Sequence, residues 1–305
     1  MDWTHRLRLR NLQMLISLAE TRNVSRSAEL LHTTQPGLSK WLKEIETDIG
    51  LPLFERHARG LRPTAYGEAL LRHARRVEAE LDRGRDEMTA LRQGASGLVM
   101  IGASGAAAPD AAPMAVLALL QAMPQVRVRL VENTMDELIR QLQRGELDLV
   151  VGRSAPEHNQ AMLESEDLHD EQVHFVARAG HPLHRRRQLG WADLRRYRWI
   201  LWPNGTPIRA IFDAALAHAG EIAPDDHLQL NSMTANLALL AGSDMLSIVS
   251  DRAAARYEQL KILRRLPLRL HAHGTVAMYW RSDVLRSAAV DEAIACLRSV
   301  AGARA

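Results

Sequence analysis

The chain has 305 residues, 47% hydrophobic and 25% charged, with a formal charge of +3 and one cysteine, Cys296; the length exceeds one ordinary domain and the balance excludes a disordered chain. No apolar run reaches the roughly 18 residues that a membrane-spanning helix needs. The polar start, Met1-Asp2-Trp3-Thr4-His5-Arg6, lacks the apolar core of a signal peptide, so a cytoplasmic protein is expected, and a lone thiol excludes an internal disulfide.

The charge excess is localised. Residues 1–63 hold 10 Lys and Arg against 7 Asp and Glu, residues 64–93 hold 6 of each, and the remainder holds 23 of each. A basic N-terminal module on a neutral body points to a polyanion contact at that end. Within it, Leu12, Leu15, Ile16 and Ala19 recur at helical spacing and predict a helix over Leu7 to Ala19. Ser25 is the expected cap of a second helix, Arg26 to His32, with Ala28 and Leu31 inward. Thr34 is placed to cap a third, Gln35 to Ile49, with Pro36 in its first turn and Gly50 at its end. Two helices joined by a tight turn, the second with a polar start, make a helix-turn-helix. Gln35, Ser39, Lys40 and Lys43 leave the face opposite the core, where an amide suits adenine edges and ammonium groups suit guanine or phosphate. Leu53 to Thr64 reads as a two-stranded wing with Arg56, Arg59 and Arg62 around Gly60, cations suited to a narrow minor groove and its phosphates.

The ordered run Ser25-Arg26-Ser27-Ala28-Glu29-Leu30-Leu31-His32-Thr33-Thr34-Gln35-Pro36-Gly37-Leu38-Ser39-Lys40, then Leu53-Phe54-Glu55-Arg56 and Arg59-Gly60-Leu61-Arg62-Pro63-Thr64, resembles the DNA-binding signature of LysR-type transcription regulators. The resemblance implies that Thr34, Gln35, Pro36, Ser39 and Lys40 form the DNA-facing start of the recognition helix. Arg56 and Arg59 would be wing contacts, with Ser25, Lys43 and Thr64 alongside. Lys40 stands where arginine is common and lacks its bidentate fork.

Thr64 is also placed to cap a long helix reaching Gln93, about 30 residues or roughly 45 Å. Leu70, Ala74, Val77, Leu81, Gly84, Met88 and Leu91 alternate in steps of four and three, the apolar seam of a coiled coil. A helix this polar elsewhere is marginal alone in water, so a partner helix is expected. The resemblance assigns dimerisation to this segment, and paired modules call for an interrupted palindrome.

From residue 94 the pattern alternates strands and helices: Leu98–Ala103, Ala111–Met123, Val126–Glu132, Met135–Arg144 and Leu147–Gly152, a βαβαβ order implying a parallel sheet with helices on both faces. A second unit follows, with strands near Val173–Arg178, Trp199–Trp202, Leu228–Asn231 and Met245–Val249 and helices near Pro207–His218, Thr234–Ala241 and Arg252–Tyr257. Thr275–Trp280 and a helix over Val284–Val300, returning to the first lobe, finish the chain. The expected fold is therefore α/β: a winged helix-turn-helix over 1–63, a linker helix over 64–93, and an effector domain over 94–305. That domain resembles two-lobed periplasmic solute-binding proteins, with lobe I about 94–170 and 271–305 and lobe II about 171–270. Ligands in such sheets sit beyond the carboxyl ends of the strands. The candidate effector residues are Ala103, Ser104, Arg153, Trp202, Thr206, Met233, Thr234 and Val249. Hydroxyls, helix N–H groups and Arg153 suit a carboxylate, a sulfonate or a polyol. The second half is similar to the branch regulating galactose-binding-protein and aromatic-sulfonate genes, which leaves the effector between a sugar and an organic acid.

His169, His174, His181 and His184 lack zinc-site spacing and are expected on a surface loop. Ile101-Gly102-Ala103-Ser104-Gly105 lacks the rest of a nucleotide-binding loop, and Ser104 and Ser154 have no nucleophile-elbow motif. No metal, cofactor or enzymatic activity is expected. The expected partners are double-stranded promoter DNA, a small-molecule effector, RNA polymerase and further copies of the chain as a dimer or tetramer. The rival readings are a free-standing solute-binding protein and an α/β enzyme with a fused helical arm.

Overall fold

The computed structural model describes residues 3–57, 60–155, 158, 162–268, 270 and 273–302, and the chain divides near Met88 into two compact units.

The first unit begins with a 3-10 turn, Trp3–Arg6, then α1 (Leu9–Thr21), α2 (Val24–Leu30) and α3 (Gln35–Ile49). The cap of α2 is Asn23 rather than Ser25: its side-chain oxygen accepts the N–H groups of Ser25 at 2.9 Å and Arg26 at 3.1 Å. Asn23 wins because it holds an extended backbone one residue ahead of the helix, where its oxygen reaches two otherwise unpaired donors. Thr34 caps α3 through the Gly37 N–H, and Gly50 ends it in the left-handed conformation. The strands β1 (Phe54–His57) and β2 (Gly60–Pro63) pair antiparallel as the wing. Glu46 accepts the N–H groups of Leu53 and Phe54 and so pins the wing to α3. The Leu61 N–H donates to the Arg22 carbonyl at 2.8 Å and pins it to α1. A Cβ on Gly60, whose φ is +108°, would lie 2.4 Å from that carbonyl oxygen, so this contact requires glycine.

Helix α4 (Ala65–Arg92) starts at Thr64, whose hydroxyl accepts the Gly67 N–H at 3.0 Å. Its seam divides. Ala74 is buried with Leu71 in the unit's own core, so it is unavailable to a partner helix; Val77, Leu81, Met88 and Leu91 are 46–62% exposed. The winged helix closes its core with the first turns of α4 and leaves only the rest of the stripe uncovered.

The second unit contains β3 (Gly97–Ala103), α5 (Ala111–Ala122), β4 (Val126–Glu132), α6 (Met135–Arg144), β5 (Leu149–Arg153), β6 (Leu163–Arg178), the short α7 (Trp191–Leu194), β7 (Trp199–Leu201), α8 (Pro207–His218), β8 (His227–Gln229), α9 (Met233–Ala241), β9 (Leu246–Ser250), α10 (Asp251–Gln259), β10 (Leu263–Arg265), β11 (His273–Arg281) and α11 (Ala288–Gly302). Among the described residues the strand order is β4-β3-β5-β11-β6-β9-β7-β8, with β10 beside β6. The expected parallel sheet holds only within each lobe. Strand β11 runs antiparallel to β5 and β6, and β6 antiparallel to β9, because two strands cross between the lobes and must return against them. β6 is 16 residues long, where alternation predicts only its last third. Its first part, Leu-Glu-Ser-Glu-Asp-Leu-His-Asp, is held by backbone pairing to β11 and by Arg298 on Glu166 and the Trp280 indole on Glu164.

In lobe I, Ala112, Ala115 and Leu119 of α5 pack with Val290, Ile294 and Leu297 of the returning α11 over β3 and β5. Lobe II is built on Phe175, Trp199 and Phe212, whose rings meet at 5.6–6.3 Å. The four histidines are not on one surface loop. His169 and His174 lie on β6, with His174 bonded to Asp251 at 2.8 Å. His181 is buried against Tyr197, and His184 meets the Arg178 carbonyl. Each is drawn in by an element that sequence spacing does not reveal.

Candidate functional site

The DNA-facing candidates lie on α2, α3, the wing and the residue ahead of α4. Gln35, Pro36, Lys40 and Lys43 are exposed along the start of α3 and Ser39 is half-buried, its hydroxyl 2.9 Å from the Gln35 amide nitrogen that donates to it. That bond draws the Gln35 amide along the first turn of the helix. Lys40 reaches Glu44 at 3.8 Å, an exposed i,i+4 pair of little strength. Ser25 is exposed on the first turn of α2, and Arg56 is exposed on β1. Arg59 lies outside the described residues. Thr64 is committed to structure, since its hydroxyl also donates to the Pro52 carbonyl at 2.6 Å.

In the second unit a cavity of about 330 Å³ opens beyond the carboxyl ends of the strands, walled by both lobes. Ser104, Arg153, Trp202, Thr206, Met233 and Thr234 all line it. Ala103 and Val249 do not: both are fully buried, and their successors Ser104 and Ser250 face the cavity instead. The last core residue of a strand points inward, and the next one turns out where the strand ends. Sequence reading missed Asn133, Thr134, Ile208 and Asn231. The strand-end rule could have found Asn133 and Thr134, since they join β4 to α6.

Three helices, α6, α8 and α9, begin at this cavity. Ser232 caps α9 by accepting the Ala235 N–H, whereas the Thr206 hydroxyl donates to the Pro203 carbonyl and leaves α8 without a side-chain cap. Unfilled N–H groups and positive helix ends favour a ligand with acceptor oxygens. Trp202 lies across from Gly105, where a Cβ would come within 3.2 Å of the indole, and its buried Nε1 has no hydrogen-bond partner among the described residues. Gly152 packs behind two lining residues: a Cβ there would lie 2.2 Å from the Ser104 hydroxyl and 2.3 Å from the Met135 sulfur.

Arg153 is the buried cation. It donates through Nη2 to Glu171 at 2.6 Å, with side-chain exposures of 3% and 1%. Among the described residues its Nε and Nη1 find no hydrogen-bond partner, and neither does Glu171 Oε1. Burial raises the Glu171 carboxyl above the usual carboxylate range, with Arg153 opposing.

A winged helix-turn-helix followed by a two-lobed α/β unit with an interlobe cavity defines a ligand-sensing DNA-binding protein. Residues 9–68 match the family model for bacterial regulatory helix-turn-helix proteins of the lysR family, and residues 92–302 match the LysR substrate binding domain. The chain belongs to the LysR family of transcription regulators. It is 32% identical over 298 residues to the regulator GbpR of Azospirillum brasilense, spanning 96% of this chain and 86% of that protein. It is 34% identical over 292 residues to GalR of Pseudomonas putida, spanning 95% and 73%. Among solved structures it is similar in fold to CbnR, a LysR family transcriptional regulator, with a TM-score of 0.66 at 22% identity over 97% of this chain and 99% of that one. It is also similar to CbnR complexed with its target DNA, at 0.65 and 24% over 96% and 100%.

Proposed function

We propose that this regulator reads an interrupted palindrome with two copies of α3, held as a pair by the exposed part of the α4 seam. Thr34 sets the start of α3, Gln35 and Lys40 reach base edges, and Ser25, Lys43, Arg56 and Arg59 grip the backbone. An unidentified small molecule, an organic acid or a sugar, binds between Ser104, Arg153, Trp202, Thr206, Met233 and Thr234. Its preference for one lobe arrangement biases a dimer or tetramer on the promoter and the contact with RNA polymerase in the cytoplasm. The observation that carries this reading is the exposed polar tip of α3 beside a wing fixed to α1 and α3.

The test is a gel-shift titration on the chain's own promoter region. Gln35→Ala should cost about 1–3 kcal/mol and relax base preference, whereas Arg56→Ala should weaken all sequences alike and lower the salt slope by about 1. Affinity unchanged in both variants would remove the interface. For the cleft, a thermal-shift screen of sugars and organic acids on the full chain should find a ligand whose effect is lost in Thr234→Ala; a ligand indifferent to that change binds elsewhere.

A further inference from the structure

The neutrality of residues 94–305 is a cancellation. Residues 181–198 hold six arginines, no lysine and one acid, Asp193, whereas the rest of that span holds 17 basic and 22 acidic side chains. The connection between β6 and β7 therefore concentrates positive charge on a unit that is otherwise acidic.

This connection is a folded surface. His181 accepts the Leu183 N–H at 3.2 Å and so caps a 3-10 turn, Pro182–Arg185. Leu183 and Leu194 are buried in the lobe II core. Arg186 pairs with Asp193, which also accepts the Gly190 N–H at 3.2 Å, so the turn and α7 are tied together. All six arginines are exposed. Arg186, Arg195 and Arg198 meet Asp193, Glu221 and Asp226, yet their side chains stay 51–55% exposed, and exposed pairs of this kind hold little energy. Among the described residues Arg185, Arg187 and Arg196 form no ion pair. The guanidinium groups are therefore available to an external anion.

The chemistry of the patch selects among anions. The centre of a protein–protein interface needs apolar or aromatic anchors and is depleted of charge. No large apolar side chain of residues 181–198 is exposed; Leu189, Trp191 and Tyr197 pack against the lobe II core instead. Guanidinium forks grip phosphate oxygens in pairs, and a duplex carries one charge per roughly 1.7 Å of its axis. Arginines without an apolar centre fit a phosphodiester backbone better than an acidic protein.

We propose that this arginine surface of lobe II is a second, sequence-independent DNA contact, which grips the phosphate backbone of promoter duplex outside the stretch read by α3. The proposal rests on the DNA-binding reading above and extends it to the effector unit. The first unit already anchors the chain, so flanking duplex is present at high local concentration and individually weak contacts add to affinity. Such a contact carries no base preference and steepens the salt dependence of binding.

The test is an anisotropy titration of the full chain, over a range of salt, on two promoter fragments. One has long flanks; the other is trimmed to the stretch that the bound protein shields from nuclease. Wild type should bind the long fragment more tightly and with the steeper salt slope. The combined variant Arg185→Ser, Arg187→Ser, Arg196→Ser should lose that advantage, the slope on the long fragment falling by up to about 3, at about 1 per phosphate contact. Its affinity for the trimmed fragment and its melting temperature should stay at wild-type values. A control that removes the same charge elsewhere on the unit, Arg127→Ser, Arg140→Ser, Arg286→Ser, all exposed, should keep the advantage. Equal binding of the two fragments by wild type, an advantage that survives in the first variant, or its equal loss in the control overturns the contact and leaves recognition by α3 standing. Unchanged DNA binding with reduced transcription by RNA polymerase assigns the surface to an acidic protein and overturns the contact too. A wild-type chain that binds neither fragment sinks the α3 interface and, with it, the extension to lobe II.

Discussion

The Arg153–Glu171 pair sets up a sharp energetic test, because both side chains are almost wholly excluded from water at 3% and 1% exposure. Removing one partner from a buried ion pair costs about 3–5 kcal/mol, since the other charge is left desolvated and unmatched. The two single variants should not be equivalent. Glu171→Leu strands a guanidinium whose Nε and Nη1 already lack acceptors among the described residues; guanidinium groups keep their charge in proteins, so the cost should reach the upper end and stay there on acidification. Arg153→Leu strands a carboxyl already pushed up by burial; it escapes by taking a proton, so its cost should be smaller and shrink on acidification. Replacing both by Leu should return stability to within about 1 kcal/mol of wild type, because the desolvation cost of each ion disappears with it. At about 2–4 °C per kcal/mol for a unit of this size, each single variant should melt about 6–20 °C lower. Thermal melts at pH 7.5 and pH 5 measure all four corners of the cycle. Additive single losses, or single losses below about 1 kcal/mol, would refute the claim that the two charges are buried for each other.

Further outcomes follow from other parts of the molecule. The His169 imidazole, ordinarily near 6.5, is held at about 4 in the fold. The stability this group contributes is therefore full above pH 6.5 and lost as pH falls toward 4; urea midpoints of His169→Leu should fall less steeply across that window than wild type, and parallel curves would exclude the residue as a source of acid lability. Gly60→Ala places a Cβ 2.4 Å from the Arg22 carbonyl oxygen at a φ of +108°, so it should free the wing from α1 and weaken operator binding about tenfold or more, roughly 1.4 kcal/mol; an unchanged gel shift would show the wing to be dispensable. Leu81→Asp puts a charge on the exposed seam of α4 and should give monomers by light scattering, whereas an intact dimer would place the interface elsewhere. Gly152→Ala drives a methyl to 2.2 Å from the Ser104 hydroxyl and should cost about 1–3 kcal/mol by overpacking, with loss of ligand-induced stabilisation; full ligand response would mean that Ser104 yields freely.

Much of the fold is written in short-range chemistry. Thr34, Pro36 and Gly50 bound α3 at the residues where the chain turns into and out of it, because capping oxygens, a missing N–H and a left-handed glycine act within a few residues. The same holds for α6 and α8, whose limits match their apolar periodicity. Ser25 shows the boundary of that logic: two polar residues two positions apart can both cap, and Asn23 does so because its backbone is extended immediately ahead of the helix.

The site was legible in outline. Strand ends located the cleft through Ser104, Arg153, Trp202, Thr206, Met233 and Thr234, while Ala103 and Val249 missed it by one residue each, the span over which a strand switches faces. What lies between distant segments was not legible. The acidic first part of β6 becomes a strand only because β11, about a hundred residues later, supplies its hydrogen bonds. Ala74 and Val77 look alike on a helical wheel, yet one is buried and the other exposed because the winged-helix core ends between them. Glu171 meets Arg153, and Arg252 meets Asp110, only after the two lobes share crossing strands. Sequence by itself determined most of the elements, the caps of α3 and the order of the units, because those depend on neighbours along the chain. The tertiary structure alone decided which charges are buried together and which apolar faces stay open, because those depend on groups that meet only when remote segments pack.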